Sequence, residues 1–189
     1  MVNGKAVMTN MPHYQVGLIG TRGPHTMNGY WNRGGQQQDL QSNTDHEGWL
    51  ITNDLGYLNE IGGLFFCGRA NDVIRTGGES VFAPEVENTL VQHPKVDKCA
   101  AFALDDEKFG ESVCAAIVSV AERIKTSFES IHWRDELRSF CAQKDLAGYK
   151  RPRRVFILNE LPQNSSGKVL KNELRLVCEG LKAVPKSQL

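Results

Sequence analysis

A lysine at the end of a polar, glycine-bearing loop is a mobile positive charge, and Pro162-Gln163-Asn164-Ser165-Ser166-Gly167-Lys168 places one directly ahead of a helical apolar period. Such an ammonium is able to reach a phosphate or carboxylate oxygen brought by another domain. The segment is not a Walker loop, because Pro162 stands where the first glycine belongs and Val169 where Ser or Thr would bind magnesium. The plainer alternative is a solvated turn lysine. A second candidate is Asp54 in Asn53-Asp54-Leu55-Gly56. An acid at a strand end beside a glycine suits two donors at once, such as the paired hydroxyls of a ribose; ordinary turn chemistry is its alternative. The third is the dense basic run Lys150-Arg151-Pro152-Arg153-Arg154. It reads first as a wet strand edge that discourages unwanted pairing, then as a holder of small-molecule phosphate, and last as a nucleic-acid contact. The five histidines, His13, His25, His46, His93 and His132, have no metal-binding spacing. No Ser or Cys occupies a nucleophile elbow, so hydrolytic triads are unsupported.

The elements that must position these groups centre on residues 68–87. They read as strand end, polar joint, short strand, glycine loop and helix start. Gly77 and Gly78 accept positive φ and let a backbone or thin ligand come close. Pro84 suits a first helical turn, with Glu85 and Glu87 at its positive end. Upstream, residues 16–24 read as a strand entering a turn. Residues 48–58 read as a hairpin whose turn carries Asp54, and 64–67 as the next strand, reached through Gly62-Gly63. Residues 34–44 read as an exposed loop, and residues 1–13 show no period. Downstream, a helix over 84–92 closes at His93-Pro94. Strands over 96–104 and 112–120 are linked by a charged turn at 105–108. Thr126-x-x-Glu129 resembles a capping box opening a helix to 144, with Trp133, Leu137, Phe140 and Cys141 inward. A strand over 155–158 and a helix over 169–181, with Leu170, Leu174, Val177, Cys178 and Leu181 inward, complete the chain. Two or three strands with packed helices make a small α+β layer domain.

With 189 residues, a net charge of zero and an ordinary apolar share, nothing global points to nucleic acid or membrane. The cysteines Cys67, Cys99, Cys114, Cys141 and Cys178 are widely spaced and mostly in apolar runs. Buried free thiols in a reducing compartment are expected, with no zinc site. No stretch is long enough to span a bilayer and no signal-peptide pattern opens the chain, so a soluble intracellular protein is expected.

Three stretches in order, Gly48-Trp49-Leu50-Ile51-Thr52-Asn53-Asp54-Leu55-Gly56, Gly68-Arg69 through Pro84-Glu85-Val86-Glu87, and Ser165-Ser166-Gly167-Lys168, resemble signature motifs of the acyl-adenylate-forming superfamily. That group includes acyl-CoA synthetases, luciferases and nonribosomal peptide adenylation domains. The resemblance covers nearly all of residues 16–181. Phe65-Phe66-Cys67-Gly68-Arg69-Ala70-Asn71-Asp72 and its continuation to Glu79 are most similar in wording to plant 2-succinylbenzoate CoA ligases of phylloquinone biosynthesis. The resemblance implies an α+β carboxyl-terminal lobe over 71–189, preceded over 1–70 by antiparallel strands from the tail of a large AMP-binding domain. It implies a carboxylate, ATP and CoA as substrates, with a magnesium ion whose ligands lie in other parts of the enzyme. By the same resemblance, Asp54 and Arg69 hold the ribose, Lys168 bridges carboxylate and phosphate, and Asn71 is the hinge. Gly78 lets pantetheine pass, Arg75 assists phosphate charge, and Lys150 meets the CoA nucleotide. Asn71 departs from the Asp or Lys more usual at the hinge.

A larger departure is that the superfamily's phosphate loop, adenine-pocket aromatic and Thr-Glu magnesium pair lie upstream of these motifs. Two readings follow. One is the carboxyl-terminal portion of an acyl-CoA ligase, inactive by itself; the other is a non-catalytic module that docks onto another protein, such as an intact relative. Lys168, Asp54 and Arg69 together favour the first. Strands over 16–66 are expected to lack partners and expose edges and apolar area. The ending Ser187-Gln188-Leu189 is near a peroxisomal signal, with a frayed tail as its alternative. A chloroplast address is the other expectation carried by the plant resemblance, although no transit segment is present.

Overall fold

The computed structural model describes residues 11–27, 29–31, 37–39, 47–120, 128–181 and 183–184. It divides into two compact units, Met1–Asn71 and Asp72–Leu189. In the first, β1 (Gly17–Thr21), β4 (Leu50–Leu58) and β5 (Leu64–Arg69) form an antiparallel sheet in the order β1-β4-β5. The short strands β2 (Gly29–Trp31) and β3 (Gln37–Asp39) form a separate pair, so part of the expected 34–44 loop is strand.

The hairpin turn expected at Asp54 is not there. β4 runs unbroken for nine residues, and the reversal falls at Asn59–Gly63, where Asn59 N–H donates to Gly63 O at 3.0 Å. The turn-like composition at residues 52–54 instead serves an irregular register against β1, which jumps between Leu18 and Gly20. Thr52 Oγ1 donates there to Ile19 O at 2.7 Å and accepts from Asp54 N at 3.2 Å. A second irregularity falls between Leu55 and Gly56 on the β5 side. Gly56 is needed at that point, since a Cβ would lie 2.6 Å from Phe65 O. The apolar exposure expected of this unit is present in β5, where Leu64, Phe65 and Phe66 are 57, 46 and 59% exposed.

The second unit is built on continuous apolar runs. Such runs belong to strands covered on both faces. Its sheet has seven strands rather than two or three, in the order β12-β10-β11-β9-β6-β7 with β8 also on β9. These are β6 (Val73–Thr76), β7 (Glu79–Phe82), β8 (Val96–Asp106), β9 (Gly110–Ser119), β10 (Phe128–Ser130), β11 (Arg154–Ile157) and β12 (Ala183–Val184). Side chains alternate between two cores. Ala101, Ala103, Val155 and Ile157 join Val86 and Leu90 of α1 (Ala83–Leu90) and Trp133, Leu137 and Cys141 of α2 (Ile131–Gln143). Ala100, Phe102, Cys114 and Phe156 join Leu174 and Cys178 of α3 (Lys171–Glu179).

Two details of the helices differ from expectation. Ser130, not Thr126, caps α2, its Oγ accepting from Trp133 N at 3.2 Å. Glu129 lies in β10 and is taken by Arg154 of β11 at 2.7 and 3.0 Å, so it is not free to close a capping box; Thr126 itself lies outside the described residues. On α3, Val177 is 47% exposed rather than inward, the face toward the core being formed by Leu174 and Cys178, one turn apart.

Candidate functional site

In the first unit the ladder between β4 and β5 sets Asp54 directly opposite Arg69. The carboxylate Oδ1 lies 3.6 Å from Arg69 Nε, with both side chains open to solvent. The irregularities on both sides of β4 place this pair where the strands bend, and bends of this kind re-aim side chains at a sheet margin. An exposed pair at that separation contributes under about 1 kcal/mol. A ligand that offers donors to the carboxylate opens it at little cost.

After Arg69 the chain makes a 3-10 turn over Ala70–Asp72, and the division between the units falls after Asn71, which is exposed. β6 and β7 then form a hairpin with Thr76 paired to Glu79, leaving Gly77 and Gly78 as a two-residue turn. Their φ values of 59° and 84° are those a right-twisted hairpin requires, and glycine supplies them without strain. Gly77 N–H donates to Phe109 O at 2.9 Å, while the space beside Gly78 is open within 4 Å. Arg75 keeps its side chain exposed and donates its backbone N–H to Glu111 Oε2 at 2.6 Å.

Lys168 stands on a small braced turn. Gln163 and Val169 form an isolated antiparallel bridge, Asn164 N–H donates to Lys168 O at 2.9 Å, and Leu170 N–H to Pro162 O at 2.8 Å. The lysine is exposed, and among the described residues its ammonium has no hydrogen-bond or ion-pair partner.

The basic run from Lys150 to Arg154 is not a wet edge. β11 lies inside the sheet, between β9 and β10, and each cation has a local engagement. Lys150 Nζ sits 2.6 and 2.8 Å from the Glu85 carboxylate at the start of α1. Arg151 Nε donates to Leu146 O at 2.8 Å. Arg153 stacks at 3.7 Å over the ring of Phe109. Arg154 is held bidentately by Glu129. Lys150 therefore needs Glu85 to let go before it meets a phosphate, and Arg153 is held by its stack, its Nε buried without a hydrogen-bond partner among the described residues. The clue in the sequence was Phe109 in the turn after β8, an aromatic among charges that a strand pattern does not need.

A cluster that the sequence reading passed over gathers His93, Lys95, His132 and Glu136. Lys95 Nζ lies 2.7 Å and His93 Nε2 3.5 Å from Glu136 Oε1, and His132 Nε2 lies 3.7 Å from Oε2. The spacing of His132 and Glu136, four apart on one helix, was the available signal. Burial holds the His93 imidazole below its ordinary value of 6.5, against the pull of Glu136 and with Lys95 adding to the depression. Burial by itself raises Glu136, but the hydrogen bond and charge of Lys95, with His93 and His132, leave the carboxyl below its ordinary value. A group whose proton affinity folding depresses adds stability that is whole above its unfolded value and lost as pH falls through its folded one. The melting temperature of this unit is therefore expected to decline as pH drops below 6.5, the ordinary histidine value. His93→Gln is expected to flatten the first part of that decline. A scan of thermal midpoints from about pH 7.5 to about pH 5 checks it; an unchanged slope in the variant contradicts it.

The thiols Cys99, Cys114 and Cys178 are each pushed up to about 12, chiefly by burial. They are protonated packing groups rather than nucleophiles. Among the described residues no three His, Cys, Asp or Glu side chains gather in a way that could hold a metal ion.

Residues 85–168 match the family described as the AMP-binding enzyme C-terminal domain. The matched segment runs from Glu85 at the start of α1 to Lys168 itself. This chain carries an AMP-binding enzyme C-terminal domain. A 2-succinylbenzoate–CoA ligase of Bacillus cereus is 36% identical over 169 residues, which is 89% of this chain and 32% of that protein. The chain thus spans about a third of the length of the curated relatives it matches. Among solved structures, o-succinylbenzoate CoA synthetase from Bacillus subtilis in complex with its acyl-adenylate intermediate superposes with a TM-score of 0.73 at 34% identity, covering 87% of this chain and 31% of that one. An ATP-bound RpMatB-BxBclM chimera superposes with a TM-score of 0.73 at 32% identity, over 88% of this chain and 31% of the other. The fold is that of the carboxyl-terminal portion of adenylate-forming enzymes. The AMP-binding C-terminal domain here thus comes with the strands of the first unit, since the matches extend over nearly nine-tenths of the chain.

Proposed function

We propose that the chain is the carboxyl-terminal portion of an ATP-dependent acyl-CoA ligase acting on 2-succinylbenzoate or a related carboxylate. The observation that carries this reading is that the matched domain ends on Lys168, an exposed lysine on a braced turn whose ammonium has no partner among the described residues. In the first half-reaction a carboxylate oxygen attacks the α-phosphorus of ATP and the bond to the β-phosphate breaks, giving the acyl adenylate and pyrophosphate. Lys168 neutralises charge that builds on the carboxylate and phosphate oxygens. Asp54 accepts from the ribose hydroxyls and Arg69 orients it, as their exposed pairing allows. In the second half-reaction the CoA thiolate attacks the acyl carbonyl and AMP leaves. Asn71 is the pivot between the two steps, and Gly78, with open space beside it, lets the pantetheine arm pass. Arg75, and Lys150 once released from Glu85, supply positive charge for the CoA phosphates. Magnesium belongs to the ATP, and no residue of this chain is assigned to it.

The exposed Leu64, Phe65 and Phe66 of β5 favour an addition to this reading. A sheet with large apolar groups exposed on adjacent positions is one that another protein surface covers. The partner is the amino-terminal part of an adenylate-forming enzyme, whether joined to this chain or separate. No described helix is long and apolar enough to cross a membrane. The Ser187-Gln188-Leu189 ending lies outside the described residues, and a peroxisomal or chloroplast address rests on the amino acids alone.

The test is carboxylate-dependent release of pyrophosphate from ATP. It is run with the chain alone, and with the chain fused behind the amino-terminal portion of the Bacillus subtilis o-succinylbenzoate CoA synthetase. Release that requires both 2-succinylbenzoate and the fused chain is the expected result. Release that is the same without the chain, or none with any carboxylate in the fusion, overturns the proposal.

A further inference from the structure

We propose that Asn164 is the positioning residue for Lys168, and that its side chain serves there as a hydrogen-bond acceptor through Oδ1. This rests on the reading of Lys168 given above. Asn164 Oδ1 accepts three hydrogen bonds, from Ser166 N at 3.0 Å, Ser166 Oγ at 2.8 Å and Lys168 N at 2.9 Å. Its own backbone donates to Lys168 O and accepts from Gly167 N, both at 2.9 Å. One residue therefore grips both backbone polar groups of the lysine, and Gly167, with φ of 79°, makes the reversal that allows it.

Every residue from Gln163 to Lys168 is exposed, so the core reaches this turn only at its ends, through Leu161 and Val169. Exposed backbone bonds compete with water and are individually weak. Three donors converging on one oxygen replace the missing packing, in the manner of an Asx turn. The Asn164 amide nitrogen makes no hydrogen bond among the described residues, so the site uses an acceptor and not a donor. That asymmetry separates positioning from general loop stability, because aspartate keeps the acceptor whereas alanine and leucine do not. A lysine whose Cα wanders by about 1 Å loses much of its value to a transition state, on the order of 10- to 100-fold in rate.

Two measurements decide it. In the chain itself, amide hydrogen exchange of Ser166 and Lys168 is expected to be slowed in the native sequence and in Asn164→Asp, and to reach open-chain rates in Asn164→Ala, with an unchanged melting temperature. Unprotected native amides overturn the inference. In the fused enzyme, Asn164→Ala is expected to lower kcat for pyrophosphate release about 10-fold or more with KM for ATP unchanged, and Asn164→Asp to recover most of the loss. If Lys168→Ala is slow but Asn164→Ala is as fast as the native enzyme, the positioning role is wrong and the role of Lys168 stands. If Lys168→Ala is itself fast, or the fusion has no carboxylate-driven turnover, the reading of Lys168 fails, and the catalytic half of this inference with it.

Discussion

Replacing Lys168 with alanine is expected to slow adenylate formation about a hundredfold or more while leaving the fold and its melting temperature unchanged. The two halves of that expectation come from different observations. The side chain is exposed and its ammonium has no partner among the described residues, so its removal breaks no native contact. On the proposed reading, the same ammonium meets charge that develops on oxygen in a site from which water is excluded, where a fixed cation is worth several kcal/mol. Thioester formation from preformed acyl adenylate and CoA does not use that charge and is expected to survive in Lys168→Ala. Lys168→Arg keeps the charge but brings a planar, bulkier head, and should recover only part of the rate. Comparing pyrophosphate release with adenylate consumption separates the two steps. Equal loss in both steps speaks against the assignment.

Phe156→Ala is expected to produce the largest loss of stability, about 3–5 kcal/mol. That is a large share of the roughly 5–15 kcal/mol available to a domain. Phe156 is 0% exposed. It sits on β11, which is parallel to β9 on one side and antiparallel to β10 on the other. Its ring lies 6.0 Å from that of Phe102. The ring fills the space between the sheet and α3 beside Leu174 and Cys178, so its removal leaves a cavity that neighbours on paired strands cannot collapse into. Val177→Ala, one turn away on α3 and 47% exposed, is the control and should stay within about 0.5 kcal/mol. Urea midpoints with an unchanged m-value check both. A loss under about 1 kcal/mol for Phe156→Ala means the core repacks, contrary to this account.

How far the site was readable depended on whether local signals sufficed. Lys168 was visible because a polar glycine loop followed by a helical apolar period is a pattern written in consecutive residues. The bracing of its turn by Asn164 was within reach for the same reason, since Asn at the head of a Ser-Ser-Gly run is turn chemistry. Asp54 was singled out, but its setting was misread. Asn-Asp beside a glycine has the composition of a turn, and a strand irregularity uses the same composition to let the backbone depart from the ladder. Only pairing with β1 and β5 distinguishes the two. The basic run was misread for a related reason. Charge density along the chain says nothing about whether a strand lies inside a sheet, and Glu85, Glu129 and Phe109, the groups that engage Lys150, Arg154 and Arg153, are between 25 and 65 residues away or in another turn.

The amino acids by themselves determined the class of the second unit, the number and order of its helices, the glycine hairpin and the loop lysine. Each of these follows from the spacing of apolar groups or from the dihedral demands of neighbouring residues. Tertiary structure alone decided the seven-strand order, which places β11 between β9 and β10. It also decided the register that sets Asp54 against Arg69, and the partners that occupy most of the basic run. Strand order and register are chosen by which buried surfaces fit together across long sequence separations, and a period of two or of 3.6 specifies a face without specifying what covers it.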